Sequence, residues 1–226
     1  MTATSSPTGI GAAVRRKEDF RFITGHGQYT DDVVRPGETR AVFLRSPHAH
    51  ARIRSIDAAA ARKMPGVVAV LTGADLANDK IGNLICGWMI HSKDGSPMKM
   101  SAHPALAASK VNCVGDAVAV VIAETTAQGR DAAEAIKVDY EVLPAVVDPA
   151  KAQAQGAPQI HADIANNTIY QWHLGDPKAT AAAFAAAKHV TKLDIINNRL
   201  VPNAMEPRAA LAEYDVGTDN LTLWNT

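Results

Sequence analysis

The sequence predicts a mixed α/β (α+β) protein in two parts, and three observations carry that prediction. Two short runs rich in β-branched residues, VVAVLT (67–72) and DAVAVVIA (116–123), have the length and composition of buried strands. Each belongs to a strand–helix–strand succession, one spanning 39–72 and one spanning 116–142. A stretch of small residues and prolines, PAKAQAQGAP (149–158), then separates these units from a C-terminal part with its own helix and hairpin signals.

In chain order, residues 1–19 are polar, with Pro7, Gly9 and Gly11, and are expected as an extended arm. GHGQYTDDVVRPGE (25–38) reads as loop, with a Pro36-Gly37 turn signal, and TRAVFLR (39–45) reads as a strand. Asp57 is placed to cap a short helix over 58–64. Lys63 suits the negative end of that helix, and Pro65-Gly66 stops it. Residues 77–103 show no period, and so long a connection is expected to be functional or disordered. Thr125 and Gln128 have capping-box spacing ahead of a helix that runs to about Ile136. KVDYEV (137–142) alternates, with Val138, Tyr140 and Val142 on one face, as a strand buried on one side does.

Beyond the small-residue stretch, Asp176 can cap the alanine-rich helix PKATAAAFAAA, with Pro177 in its first turn. HVTKLDIINNRL (189–200) is a strand candidate, and AALAEYD (209–215) and LTLWN (221–225) flank VGTD as a β-hairpin. The expected plan is an arm over 1–19, an α/β domain over 20–150, a linker over 151–165 and a second domain over 166–226.

Bulk properties exclude several function classes. A 226-residue chain can bury roughly 70% of its unfolded surface, so no disulfide staples are needed. Lys plus Arg equals Asp plus Glu, 23 against 23, and no basic stripe points to nucleic acid. Two cysteines, Cys86 and Cys113, are too few for an iron–sulfur cluster or a cysteine-rich zinc site, and fit a reducing compartment. The first residues carry no signal-type apolar core, and no window approaches the ~20 apolar residues of a membrane span. A cytoplasmic protein with no nucleic-acid or membrane partner is expected.

RSPHAHARI (45–53) holds His48 and His50 at a spacing that puts both imidazoles on one face of an extended chain. Two such ligands begin a metal site but do not finish one, and no neighbouring Cys, Asp or Glu completes it, so the structural reading prevails. Arg52 and Arg54 share the spacing and read as ion-pair or contact residues. The glycines at 9, 11, 25 and 27 lack the pattern of a dinucleotide loop. Cys113, beside VGDAVAVV, is expected as a small buried hydrophobe, and Cys86 as the exposed thiol. In NAMEPRAA (203–210), Glu206 and Arg208 bracket a proline. An ion pair anchoring the loop is favoured there over a general base.

Six collinear segments carry a family resemblance: RKEDFRFITGHGQYTDDV (16–33), FLRSPHAHARIRSID (43–57), MPGVVAVLTGADL (64–76), HPALAASKVNCVGDAVAVVIAET (103–125), VDYEVLPAVVD (138–148) and MEPRAALAEYD (205–215). Together they resemble the molybdopterin-binding large subunit of the molybdenum hydroxylases, the xanthine dehydrogenase, aldehyde oxidase and aerobic carbon monoxide dehydrogenase group. ICGWMIHSKDGSPMK (85–99) is similar to the carbon-monoxide-dehydrogenase-like branch. Cys113 departs from the family, which usually has an aromatic before the Val-Gly.

The resemblance implies an N-terminal hammerhead domain over 20–150, built on the strand–helix–strand units, followed by the start of a molybdopterin-binding domain. In a complete assembly it implies molybdopterin cytosine dinucleotide and hydroxylation of an aldehyde, heteroaromatic or carbon-monoxide-like substrate with water. Electrons would pass to an iron–sulfur small subunit and an FAD medium subunit. The segments that contact the cofactor in the family follow the part matched here. No catalytic, cofactor-binding or metal residue is therefore carried over, and no cofactor is expected on this chain alone. Met205, Glu206 and Arg208 are carried over only as a pocket edge. The chain is expected to be a fragment or one part of a split large subunit, with a remaining large-subunit chain as partner. The alternative is a non-catalytic interaction or assembly module, including a homo-oligomer.

Overall fold

A computed structural model describes residues 9–10, 12, 16–198, 200–204 and 206–226. In chain order they form α1 (Asp19–Ile23), β1 (Arg40–Arg45), β2 (Ala51–Asp57), β3 (Val67–Thr72), α2 (Gly73–Asn78), β4 (Lys110–Val111), β5 (Ala117–Ala123), α3 (Thr126–Ala135), β6 (Lys137–Val142), α4 (Pro177–Ala186), β7 (Ala210–Asp215) and β8 (Asn220–Asn225). The chain divides into two compact units. One joins the N-terminal residues up to Glu38 with Lys192–Thr226, and the other is Thr39–Thr191.

The Thr39–Thr191 unit holds two three-stranded sheets, in the orders β1-β5-β3 and β4-β2-β6. All four pairings are antiparallel. Of the strand–helix–strand successions read from sequence, the one over 116–142 is present, but its strands part company, with β5 in one sheet and β6 in the other. The strands of the one over 39–72, β1 and β3, share a sheet on either side of β5. Antiparallel ladders need no crossover helix, so α3 connects two sheets and is not a βαβ bridge within one.

β5 is the centre of this unit, because its successive side chains face opposite ways. Ala119, Val121 and Ala123 enter one apolar cluster with Val70 and with Ala132 and Ala133 of α3. Val118 enters a second cluster with Ala51, Ala107 and Val111. Val118, Val121 and Val111 are completely buried, each contributing roughly 1.5–3 kcal/mol of transfer free energy. Thr125 caps α3 by accepting from Gln128 N at 3.2 Å, while its hydroxyl donates to Gln128 Oε1 at 2.8 Å.

Three local expectations change. Asp57 ends β2, and its Oδ1 accepts from Ala59 N at 3.0 Å, so the expected helix over 58–64 shrinks to a 3-10 turn at Ala61–Lys63. Residues 73–78 are helical, with Thr72 N and Oγ1 both donating to Asp75 Oδ2 at 2.7 Å. The Thr72 hydroxyl and then its amide hold the Asp75 carboxyl below the usual carboxylate range, with Arg62 assisting against burial. The strand candidate 189–200 carries no ladder pairing among the described residues, since β7 and β8 pair only with each other.

Residues 149–168, within the Thr39–Thr191 unit, are held in shape by Asn167. Asn167 Oδ1 accepts from Ile160 N at 2.9 Å, and its Nδ2 donates to Ala152 O at 2.9 Å and Pro158 O at 2.8 Å. α4 has the cap its sequence announces, with Asp176 Oδ1 accepting from Lys178 N at 2.9 Å and Ala179 N at 3.0 Å.

In the other unit, β7 and β8 form the predicted hairpin, registered from Ala210↔Asn225 to Asp215↔Asn220. The N-terminal segment is tied to it through Arg35. The Arg35 guanidinium lies 4.5 Å from the centre of the Trp224 ring, and its Nε is 3.3 Å from Glu213 Oε2. Because Trp224 pairs with Leu211, two residues from Glu213, both contacts fall on one face of the hairpin. Phe22 stacks on Tyr29 at 5.6 Å, and Asp32 Oδ2 accepts from Tyr29 N at 2.9 Å, which shapes the intervening turn.

Two outcomes follow from this packing. A Cβ on Gly73 would sit 2.6 Å from Ala108 Cα and 2.7 Å from Ala108 N, backbone atoms that cannot rotate away. Gly73→Ala should therefore lose about 1–3 kcal/mol in chemical denaturation. Gly87→Ala, with nothing within 4 Å of the added carbon, should stay near wild type. Arg35→Ala should quicken amide exchange across 29–38 and shift Trp224 emission. Arg35→Lys should restore only part of both, because an ammonium lacks the flat guanidinium face.

Candidate functional site

The sequence-predicted residues divide between the two units. Glu206 is half-buried, and its Oε1 accepts from Thr30 N at 3.4 Å, so it helps hold the 30–32 turn. Arg208 is exposed, and no Glu206–Arg208 ion pair forms among the described residues, so the anchoring pair expected from sequence is replaced by this backbone contact. Met205 lies outside the described residues.

His48 and His50 do not share a strand face, because β2 begins only at Ala51. A bend built by buried Ser46 precedes it. Ser46 Oγ accepts from His48 N at 3.0 Å and donates to His48 O at 3.1 Å. The His48 ring stands edge-on to Tyr140 at 4.9 Å. His50 is buried, and its Nδ1 donates to Pro144 O at 2.7 Å, a carbonyl that can only accept. Its Nε2 is buried without a partner among the described residues. Among the described residues, no three His, Cys, Asp or Glu side chains converge as a metal-ligand set. Arg52 and Arg54 both reach Glu141 of the paired strand β6, at 3.4 and 3.6 Å, as ion-pair residues.

The Thr39–Thr191 unit has a cleft of about 740 Å³ beside β1, β4 and the start of β5. Its apolar lining comes from Phe43, Leu84, Ile85, Met98, Ile164 and Ile169. Its charged lining is Arg45, Lys99, Lys110 and Asp116, joined by His103 and His161. Both cysteines also line it. Cys113 is exposed there, not buried as its apolar neighbours in sequence suggest, because the turn after β4 directs it outward. Its thiol donates to Asp116 Oδ1 at 2.9 Å.

Arg45, Lys110 and Asp116 each have an identifiable support in the cleft. Arg45 follows a register shift at the end of β1; its Nη1 donates to Gly115 O at 2.8 Å, and its guanidinium lies 5.7 Å from the Phe43 ring centre. Lys110 Nζ donates to Ile160 O, the residue whose amide Asn167 fixes. Asp116 Oδ2 accepts from Asn112 N at 2.6 Å and Cys113 N at 3.2 Å. Burial works to raise the Asp116 pKa, but the Cys113 thiol and these two amides outweigh it, helped by His103, and hold the carboxyl below its usual value.

His161 is held below the ordinary imidazole value of 6.5, first by burial, then by Lys110 and His50, with Asp163 and Asp116 pulling the other way. The unfolded chain then binds this proton more readily than the folded one. The His161 contribution to stability is complete above about pH 6.5 and falls away as the pH drops below it. His161→Gln should flatten the acid side of the melting-temperature profile below about pH 6.5, while leaving the profile above pH 7 unchanged.

Comparison with known proteins agrees with this architecture. Residues 24–144 match the model for the aldehyde oxidase and xanthine dehydrogenase a/b hammerhead domain, and residues 160–226 match a molybdopterin cofactor-binding domain. The carbon monoxide dehydrogenase large chain of Afipia carboxidovorans is 37% identical over 96% of this chain and 27% of that relative. The nicotine 6-hydroxylase large subunit of Paenarthrobacter nicotinovorans is 35% identical over 95% of this chain and 25% of that relative. Among solved structures, quinoline 2-oxidoreductase from Pseudomonas putida 86 superposes with a TM-score of 0.82 at 36% identity, covering 94% of this chain and 26% of that one. The chain spans about a quarter of the length of these relatives. The two domain matches, in the same order as in the resemblance, show that this chain belongs to the aldehyde oxidase and xanthine dehydrogenase family of molybdenum hydroxylase large subunits.

Proposed function

We propose that this chain is a fragment or one part of a split molybdenum hydroxylase large subunit, supplying scaffold and partner contacts and not the catalytic centre. The observation that carries the reading is the pair of domain matches on a chain that covers only 27% of a relative to which it is 37% identical. Its domain plan is the hammerhead domain over 20–150, a linker over 151–165 and the start of the molybdopterin-binding domain over 166–226, while the arm expected over 1–19 falls mostly outside the described residues. In a complete assembly the subunit works with molybdopterin cytosine dinucleotide, which supplies oxygen-atom and electron chemistry. A remaining large-subunit chain, an iron–sulfur small subunit and an FAD medium subunit complete the enzyme in the cytoplasm. The substrate is an aldehyde, a heteroaromatic or a small carbonyl-like molecule, hydroxylated with water.

Near the hairpin, Glu206 is used on Thr30, and Arg35 is used on Glu213 and Trp224. Met205, Glu206 and Arg208 edge the substrate pocket, and no reaction step is assigned to them. The exposed Arg208 and half-buried Glu206 support that placement.

The hairpin and the residues before it leave Leu193, Ile195, Ile196, Leu200 and Leu221 exposed, an apolar surface of the kind that marks a contact face. A second reading, a non-catalytic assembly module, rests on this same surface.

The test is co-expression in cells that make the molybdenum cofactor. Purified alone, the chain should carry far less than one molybdenum per polypeptide and reduce no dye with carbon monoxide, nicotine or xanthine. Co-expressed with the remaining part of a carbon monoxide dehydrogenase large chain, it should co-purify at one to one by native mass spectrometry. Stoichiometric molybdenum with turnover on the isolated chain would sink the scaffold reading. Capture of the small and medium subunits without the remaining large-subunit part would favour the assembly module.

A further inference from the structure

We infer that the cleft of the Thr39–Thr191 unit is a binding site for a small carboxylate with an apolar body. The inference is independent of the molybdenum chemistry.

A volume of about 740 Å³ lies within the range of pockets that enclose small organic ligands. Its lining mixes apolar side chains with charged ones, and Arg45, Lys110 and Asp116 are each held in place by a named contact. The charges are unbalanced. Arg45, Lys99 and Lys110 face one carboxylate, Asp116, and His161 is held toward its neutral form. Asp116 is occupied by two backbone amides and the Cys113 thiol. Among the described residues, none of the three cations has a carboxylate partner. Arg45 rests on a carbonyl and the Phe43 ring, and Lys110 on the Ile160 carbonyl.

A half-buried ammonium keeps only part of its hydration, so a carbonyl alone leaves its charge undercompensated. Arg45 and Lys99 are exposed and Lys110 is half-buried; an anion entering the cleft meets Arg45 and Lys110 already held by their carbonyl contacts, and the apolar walls strengthen the attraction. A guanidinium offers two parallel donors to a carboxylate, and the two unused Lys110 protons add to them. Leu84, Ile85, Met98 and Ile164 then cover the apolar body of the ligand. A neutral apolar ligand leaves the positive charge uncompensated, and a cationic one is repelled.

The test uses the 226-residue chain and three probes of one shape: 2-naphthoate, 2-naphthamide and 2-naphthylmethylammonium. Amide chemical shifts are followed by NMR during titration at low ionic strength. Naphthoate should move the signals of 84–86, 110–116 and 161–169 saturably, and bind about tenfold or more tightly than naphthamide. Naphthylmethylammonium should not compete, and added salt should weaken naphthoate alone. Arg45→Gln with Lys99→Gln should lose about tenfold for naphthoate and little for naphthamide. Lys110→Gln should do the same, and the first pair keeps the test intact if removing Lys110 loosens the fold. Equal binding of naphthoate and naphthamide, saturable shifts confined to 210–225, or no saturable shift at millimolar naphthoate would each overturn the inference. Because the readout is binding to this unit, failure here leaves the large-subunit reading standing, and the converse also holds.

Discussion

The double burial of β5 is the constraint on which the Thr39–Thr191 unit depends. A strand covered on both faces cannot tolerate a shift of register, because either direction exchanges one packed set for the other. Ala119, Val121 and Ala123 face α3, while Val118 faces the second sheet through Ala51 and Val111. The helix can approach so closely because α3 carries a glycine at the contact. A Cβ on Gly129 would lie 2.6 Å from Val42 Cγ2 of the neighbouring strand. The position of β5 fixes β1 and β3 on its two edges, and the end of β1 in turn places Arg45 at the cleft. The placement of Arg45 at the cleft is thus a consequence of core packing.

What could be read from sequence was what local chemistry decides. β3, β5, β6, α3, α4 and the β7–β8 hairpin lie close to where composition and period put them. Thr125 and Asp176 cap the helices they precede. The segments that misled are those in which a neighbour distant in sequence outweighs the local pattern. His48 and His50 look extended together, but the buried Ser46 hydroxyl closes a bend there and Pro144 claims one imidazole. Cys113 sits among apolar residues in sequence, yet a turn organised by Asp116 presents it to solvent. Helix α2 begins with a glycine, the weakest of ordinary helix formers, and is secured by Thr72 and Asp75.

The cleft was the least legible feature, and for a geometric reason. Its walls come from β1, from the long connection between α2 and β4, from the turn into β5, and from the residues around Asn167. No single window contains enough of them to show the imbalance of charge. The family, in contrast, was legible from six short segments, because collinear motifs record shared ancestry without any knowledge of which side chains meet. The two routes are complementary: the segments identify the relatives, while the coordinates show where charge is left without an opposite. Glu206 illustrates the difference, since its motif marks a relative and its observed contact is with the amide of Thr30.

The clasp between Arg35, Glu213 and Trp224 has a consequence for biosynthesis. Residues 16–38 leave the ribosome before the Thr39–Thr191 stretch, yet the hairpin partner of Arg35 lies 178 residues further along the chain. During that interval Phe20 and Ile23, which stay largely exposed even in the finished unit, belong to a nascent segment that cannot yet close. The Thr39–Thr191 stretch, whose strand partners all lie within itself, can collapse while the tail is still being made. A segment made before the Thr39–Thr191 stretch therefore finds its place only after that stretch is complete.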